Sequence, residues 1–233
     1  MISWRQTCLA LALVAIGGAA AAEDPRIAPG RDPGGVAVAV LADGFDTTRA
    51  DVLRILARDG EGEAIAWDAV DGDHRPFVRE GAGTEVALAA AAKGGVRIVP
   101  VRVAMGDAAS LAKGVAFAQS TPARLLITTL ADQDRRGLAV MTAAAARFAA
   151  VLFVVSLPVP TAGEAKAVVA VANLVLLDSK PTAQAAAEAV AQALGCAGGD
   201  LAGATGADLK RVLLGRLNAQ SSAACNAERA EPK

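Results

Sequence analysis

The side chains best suited to acid-base or metal chemistry lie between positions 68 and 85. They are Asp68, Asp71, Asp73, His74 and Glu85, and His74 is the single histidine of the chain. Clustered carboxylates offer the oxygen ligands that Ca²⁺ prefers, but the twelve-residue loop ending in glutamate is missing. The three aspartates therefore fit either a weak calcium site or a solvated acidic turn. A histidine beside carboxylates could act as a general base, whereas a lone histidine in a polar loop is more often solvated.

The elements that must position these residues alternate between apolar and alanine-rich segments. The apolar segments predict strands at Val36 to Leu41, Val96 to Val103, Leu125 to Thr129, Val151 to Ser156 and Val168 to Leu177, with a weaker one at Ala64 to Trp67. The alanine-rich segments predict helices at Thr48 to Arg58, Thr84 to Ala92, Ala108 to Ala118, Arg136 to Ala149, Thr182 to Leu194 and Ala207 to Asn218. This alternation indicates an α/β fold with a mostly parallel central sheet and helices on both faces.

The first strand and the turn after it carry a resemblance to a known family. The segment Val36 to Asp46 is similar to the strand and turn of the subtilisin-like serine proteases, in which an aspartate orients the catalytic histidine. Ala42 stands at that aspartate position. Asp43 lies one residue along and is expected to point to the opposite side, because side chains alternate along a strand.

Three further positions of the family pattern are changed. The family's Gly-His-Gly-Thr-His-Val-Ala helix start resembles Gly81 to Ala87, where Glu85 stands at the catalytic histidine. The helix that carries the nucleophilic serine resembles Pro181 to Val190, where Ala183 stands at the serine. The strand that leads to the family's oxyanion asparagine runs into Pro158, which has no amide donor.

The resemblance covers roughly Val36 to Leu214 and implies a three-layer subtilisin-like fold without the catalytic residues. It implies a pseudoprotease that acts as a binding or scaffold protein, and its partner would be a peptide or an envelope protein. The alternative is a peptidase or other hydrolase rebuilt around Glu85, Asp43 or His74, since function resides in the site and not in the fold.

Two related hypotheses use other residues of the same region. The sedolisins, relatives with the subtilisin fold, use a glutamate where Glu85 stands, but they need an aspartate one helical turn later, and Ala89 occupies that place. Ser179 could be a displaced nucleophile, although it precedes the helix and needs a base within hydrogen-bonding reach. A turn or capping role for this serine is the competing interpretation.

The amino terminus predicts export. A basic start, an apolar run from Leu9 to Ile16 and a small-residue ending match a signal peptide over residues 1–22. The run is shorter than the roughly 20 apolar residues that span a bilayer, so we expect a periplasmic or secreted protein with no stable membrane anchor. Residues 23–35 then form a surface lead-in, residues 36–220 the α/β domain and residues 221–233 a tail.

Cysteine content and charge narrow the remaining classes. Cys8 leaves with the signal peptide, and an oxidising compartment favours a disulfide between Cys196 and Cys225, with two unpaired thiols as the alternative. The formal net charge of −1 argues against a nucleic-acid partner, for which a basic surface is expected. No Walker sequence or other cofactor motif is present, so we expect no cofactor.

Overall fold

The computed structural model describes residues 24–130, 134–157, 163, 170–178, 205–211 and 213–215. Within this part of the chain the strands are β1 (Val36–Ala42), β2 (Trp67–Asp68), β3 (Val96–Arg102), β4 (Leu125–Thr129), β5 (Leu152–Leu157) and β6 (Leu174–Asp178). They form one sheet in the order β2-β3-β1-β4-β5-β6, and every neighbouring pair is parallel. The predicted α/β class with a parallel sheet is therefore confirmed.

Helices connect most of these strands. They are α1 (Ala50–Ile55), α2 (Gly83–Ala91), α3 (Ala108–Gln119) and α4 (Arg135–Arg147), and residues 206–211 and 213–215 are also helical. Aspartates cap two of them: Asp107 accepts hydrogen bonds from the first backbone amides of α3, and Asp134 accepts one from Gly137 in α4. Such caps satisfy amide donors that have no partner within the helix.

Alternate residues of the central strand β1 pack on opposite faces of the sheet. Ala39 and Leu41 belong to a buried cluster that includes residues of α3 and α4. Val38 and Val40 belong to a second cluster that includes residues of α2 and the helical residues Leu209 and Leu213. A strand buried on both faces must be apolar at successive positions, which explains the continuous run in β1.

The prediction of a helix from Thr48 to Arg58 is wrong at both ends. The helix α1 begins at Ala50 and ends at Ile55, and Leu56 adopts an extended conformation. Leu56 then pairs with Ile98 and Arg58 pairs with Ala64, both as isolated bridges. Because these residues hydrogen-bond and pack beside the sheet, the local helix propensity of the segment is overridden.

The last described strand also begins later than predicted. Residues 170–173 form a turn, and β6 starts at Leu174. Asn173 is buried, and its side-chain amide donates to the carbonyl oxygens of Phe148 at 3.0 Å and Val151 at 2.8 Å. These bonds hold the chain in a turn just before the strand.

The lead-in segment is attached to the domain by a buried side chain. Ile27 is buried and packs in a small cluster with Val52, Leu56 and Ala66.

Among the described residues, no helix has the length and apolar character needed to cross a membrane.

Candidate functional site

The carboxyl end of β1 and the start of α2 meet in what we call the β1/α2 corner, formed by residues 42–46 and 81–85. A Cβ atom placed on Gly83 would lie 2.8 Å from Cβ of Ala42 and 2.6 Å from the carbonyl oxygen of Gly44. Only glycine allows so close an approach. The positions singled out by the resemblance, Ala42 and Glu85, therefore lie on two elements that are in direct contact.

Hydrogen bonds fix both sides of this corner. Oδ1 of Asp43 accepts the backbone N–H of Ala82 at 2.8 Å, and Oγ1 of the buried Thr84 accepts the backbone N–H of Asp46 at 2.8 Å. A carboxylate is favourable beside the start of a helix, because it satisfies an amide donor and complements the helix dipole. Asp43 thus has a structural contact at the start of α2.

Glu85 is paired with an arginine of the loop before α1. Its Oε1 accepts a hydrogen bond from Nη1 of Arg49 at 2.9 Å, and the Glu85 side chain is 59% exposed. Arg49 also pairs with Asp51 at 2.7 Å. The hydrogen bonds that Arg49 donates to Asp51 and to Glu85 raise the pKa of Arg49 above its ordinary value, so the guanidinium beside Glu85 stays positively charged.

The Glu85 carboxylate has no acidic partner one turn further along α2. Ala89 is buried there, at the position where the sedolisins have an aspartate. Glu85 therefore stands in an ion-pair network on the surface of the corner. In that setting it is an acceptor for Arg49 and lacks the second carboxylate of an acid-base pair.

His74 has its contacts around β2 and α3. Its Nδ1 lies 2.9 Å from the carbonyl oxygen of Ala66, and its ring meets Trp67 edge-on at 5.1 Å between centroids. Trp67 in turn stacks on Phe117 of α3 at 5.5 Å. In the part of the chain that the structure describes, no carboxylate hydrogen-bonds to this imidazole, so it is not oriented as the base of a triad.

His74 also lines an open cleft of about 740 Å³ together with several carboxylates. Asp59, one of them, accepts the backbone N–H groups of Glu61 and Glu63 at 2.9 and 3.0 Å. Asp73, another, accepts the backbone N–H of Arg75 at 2.8 Å. These carboxylates hold loop backbone, and their hydrogen bonds explain why they are there.

Two aspartates of the acidic turn are paired with Arg102. Nη1 of Arg102 lies 2.7 Å from Oδ2 of Asp68 and 2.7 Å from Oδ2 of Asp71. Asp68 is fully buried and also accepts the backbone N–H groups of Val70 and Asp71. Within the described ranges, no group of three His, Cys, Asp or Glu side chains is arranged to hold a metal ion.

Several predicted residues lie outside the part of the chain that the structure describes. They are Cys8, Pro158, Ser179, Ala183, Cys196 and Cys225. The roles assigned to them from the sequence, including the disulfide and the changed nucleophile and oxyanion positions, stay predictions.

Sequence reasoning missed two arginines of these sites. Arg102 closes the apolar strand β3, and a charged residue at the end of a buried strand was the available signal for a buried partner. Arg49 lies in a loop, far from Glu85 in sequence, and carries no such signal. Only the fold brings it to the corner.

Comparison with known proteins gives no relative for this chain. No protein-family model, no curated protein and no solved structure matches it. The class that the structure defines is that of an α/β protein built on a parallel sheet, with the β1/α2 corner at the end of its central strand.

Proposed function

We propose that this chain is an exported, catalytically inactive relative of the subtilisin-like serine proteases that serves as a binding or scaffold protein. The observation that carries the proposal is the chemistry of the β1/α2 corner. A methyl group stands at Ala42, and the Glu85 carboxylate is paired with Arg49. A serine protease needs a carboxylate and an imidazole in contact at such a place.

The arrangement of the sheet supports the three-layer form of this proposal. The apolar residues of β1 alternate between a cluster with α3 and α4 and a cluster with α2. Helices packed against both faces of a parallel sheet are what a three-layer α/β fold requires. The resemblance also expects the first strand to end beside the helix that would carry the histidine, and the contact between Ala42 and Gly83 agrees with this expectation.

The competing function, a hydrolase with a rebuilt site, would have to use Glu85, Asp43 or His74. Each of these side chains has a structural contact: Glu85 with Arg49, Asp43 with the start of α2, and His74 with Ala66. General acid-base catalysis needs a group within hydrogen-bonding reach of the proton that it moves. None of the three is within such reach of another in the described hydrogen bonds, which favours the binding protein.

Hydrolysis assays separate the two functions. We expect the purified mature protein to leave an unfolded protein substrate intact and to take up no fluorophosphonate probe. Reproducible cleavage that is lost in Glu85→Ala, His74→Ala or Asp43→Ala would reject the inactive protein and assign the base. Arg79→Ala, a change of an exposed residue outside the corner, is the matched control.

The proposed correspondence of Ala42 and Glu85 with the family's aspartate and histidine is tested by NMR titration. With a single native histidine, an imidazole introduced by Glu85→His is easily assigned. Adding Ala42→Asp should raise the pKa of that imidazole by about one unit, because a nearby opposite charge favours its protonated form. An unchanged pKa in the double variant would contradict the correspondence, and His74 serves as the internal control.

Export and binding have their own measurements. The amino-terminal sequence of the protein recovered from the envelope should begin at Glu23, the residue after the predicted signal peptide.

A photo-crosslinking amino acid at position 85 should give a discrete adduct with an envelope protein or peptide, while the same group at Arg147 of α4 should not. Equal adducts at both positions would contradict binding at the corner.

A further inference from the structure

Arg58 is a buried cation that has no anionic partner within the described part of the chain. Its side chain is only 6% exposed, and among the described residues no carboxylate forms an ion pair with it. The other charged residue buried to this extent in the described ranges, Asp68, is paired with Arg102. Removing a charge from water is costly unless an opposite charge or hydrogen bonds compensate for it, so Arg58 stands out.

Backbone carbonyl groups satisfy part of the Arg58 guanidinium. Nη1 donates to the oxygens of Ala28 and Gly62, both at 2.9 Å, and Nη2 donates to Leu53 at 3.3 Å. A guanidinium has five N–H donors. Nε has no partner in the described part of the chain, and Nη2 makes one long bond with two donors available. Hydrogen-bonding capacity is therefore left over.

This guanidinium lines a cleft of about 530 Å³ in which positive charge predominates. The charged lining residues are Arg31, Arg54, Arg58 and Asp32. Arg31 and Arg54 are exposed, while Arg58 is buried. The Asp32 carboxylate already binds Arg97 at 2.7 Å and the backbone N–H groups of Gly34 and Arg58 at 2.7 and 2.8 Å. Among the residues that the structure describes, at least two positive charges of the lining have no counter-charge.

We propose that this cleft binds the phosphate group of a small phosphate ester. The dianion accepts from the free Nη2 donor of the buried Arg58 and from the exposed guanidinium groups of Arg31 and Arg54. Arginine is the side chain best suited to phosphate, because its planar fork donates two parallel hydrogen bonds. A phosphate dianion neutralises two of the positive charges of the cleft, whereas a carboxylate neutralises one. The cleft is larger than a phosphate ion, so part of the ester lies within it as well.

The experiment is a titration of the mature protein with inorganic phosphate, followed by the backbone amide NMR signals of Gly30, Arg31, Asp32 and Gly34. Chloride solutions matched for ionic strength separate binding from screening of the surface charges. We expect saturable shifts with phosphate, tighter binding of glycerol 3-phosphate, weaker binding of acetate and a rise in melting temperature with ligand concentration. Vesicles of phosphatidic acid distinguish a lipid-borne phosphate from a soluble ester.

The variants Arg31→Gln and Arg54→Gln test the assignment without disturbing the buried residue. Each should weaken phosphate binding by about tenfold through loss of a charge-assisted hydrogen bond, while Arg79→Gln, an exposed change outside the cleft, should leave it unaltered. Non-saturable shifts, shifts of equal size with chloride, or full affinity in the Arg31→Gln/Arg54→Gln double variant would overturn the proposal.

Discussion

Asp68 and Arg102 are register partners across the parallel strands β2 and β3, and their side chains form an ion pair of 2.7 Å. Asp68 is fully buried, and Arg102 is 22% exposed. Burial tends to lower the pKa of Arg102, but the hydrogen bonds that Arg102 donates to Asp68 and Asp71 outweigh it and keep this pKa above its ordinary value. This pair fastens the edge strand β2 to the sheet and organises the acidic turn that follows.

Replacing the buried carboxylate should therefore be costly. Asp68→Ala removes the buried ion pair, leaves the N–H groups of Val70 and Asp71 without their acceptor and leaves Arg102 paired with Asp71 alone. We therefore expect unfolding in urea to show a loss of about 3 kcal/mol. Asp71→Ala is the matched control. Its carboxylate is 56% exposed and binds the same guanidinium, and its removal should cost less than about 1 kcal/mol. Equal losses in the two variants would contradict this account.

Asp43 should contribute to stability through the start of α2. Asp43→Ala leaves the N–H of Ala82 without its acceptor and removes a negative charge near the helix start, a combined loss of about 1 kcal/mol. Asp43→Asn keeps the acceptor and should recover part of the loss. Thermal unfolding of the three proteins checks this order, and an unchanged Asp43→Ala variant would show that the contact is unimportant.

The pKa of Asp32 predicts a pH dependence of stability. Burial tends to raise this pKa, but the hydrogen bonds from Arg58, Gly34 and Arg97 outweigh it and lower the pKa below the ordinary 3.8. A carboxyl group whose pKa is lower in the folded state than in the unfolded state stabilises the fold at pH values above its unfolded-state pKa. This contribution is lost as the pH falls toward the folded-state pKa. The free energy of unfolding of the native protein should thus exceed that of Asp32→Asn at pH 7, and the difference should shrink below pH 3.8. The prediction is contradicted if the difference in free energy of unfolding between the two proteins stays constant from pH 7 to below pH 3.8.

Gly83 should tolerate no side chain. In Gly83→Ala, the added methyl would lie within 3 Å of Gly44, Phe45 and Ala42, and overpacking of this kind costs about 1–3 kcal/mol. Gly60→Ala is the control, because nothing lies within 4 Å of its added methyl. Urea unfolding should separate the two variants, and similar midpoints would show that the corner can relax.

The predicted disulfide is tested chemically. If Cys196 and Cys225 are paired, Cys196→Ser should lower the free energy of unfolding by about 2–4 kcal/mol. A thiol assay on the unreduced, denatured mature protein should find no free sulfhydryl group. An assay that finds two free sulfhydryl groups would contradict the predicted disulfide.

The sheet was the most predictable part of this molecule. β4 has the predicted bounds, and β1 and β3 each differ from the prediction by one residue at one end. These strands were predictable because a strand buried on both faces has a continuous run of apolar residues in its sequence. The end of α1 was not predictable in this way. Leu56 has a helix propensity as high as that of its neighbours. It lies outside the helix because it forms a β-bridge with Ile98, which is distant in sequence.

The candidate site was predictable in its residue types and not in its partners. The sequence shows alanine at position 42 and glutamate at position 85. The resemblance to the subtilisin-like proteases predicts from them a site that lacks the family's catalytic aspartate and histidine. The sequence does not show that Arg49 pairs with Glu85 or that Arg102 joins Asp68 to Asp71, because those contacts depend on loop and strand packing. Long-range ion pairs leave no local pattern in a single sequence.

At the junction of β1 and α2, the main chain itself sets the spacing. Gly44 adopts a φ of 145°, and the backbones of Gly44 and Gly83 approach too closely for a Cβ atom between them. The distance between β1 and α2 is consequently set by the backbone at these two glycines together with the small side chain of Ala42.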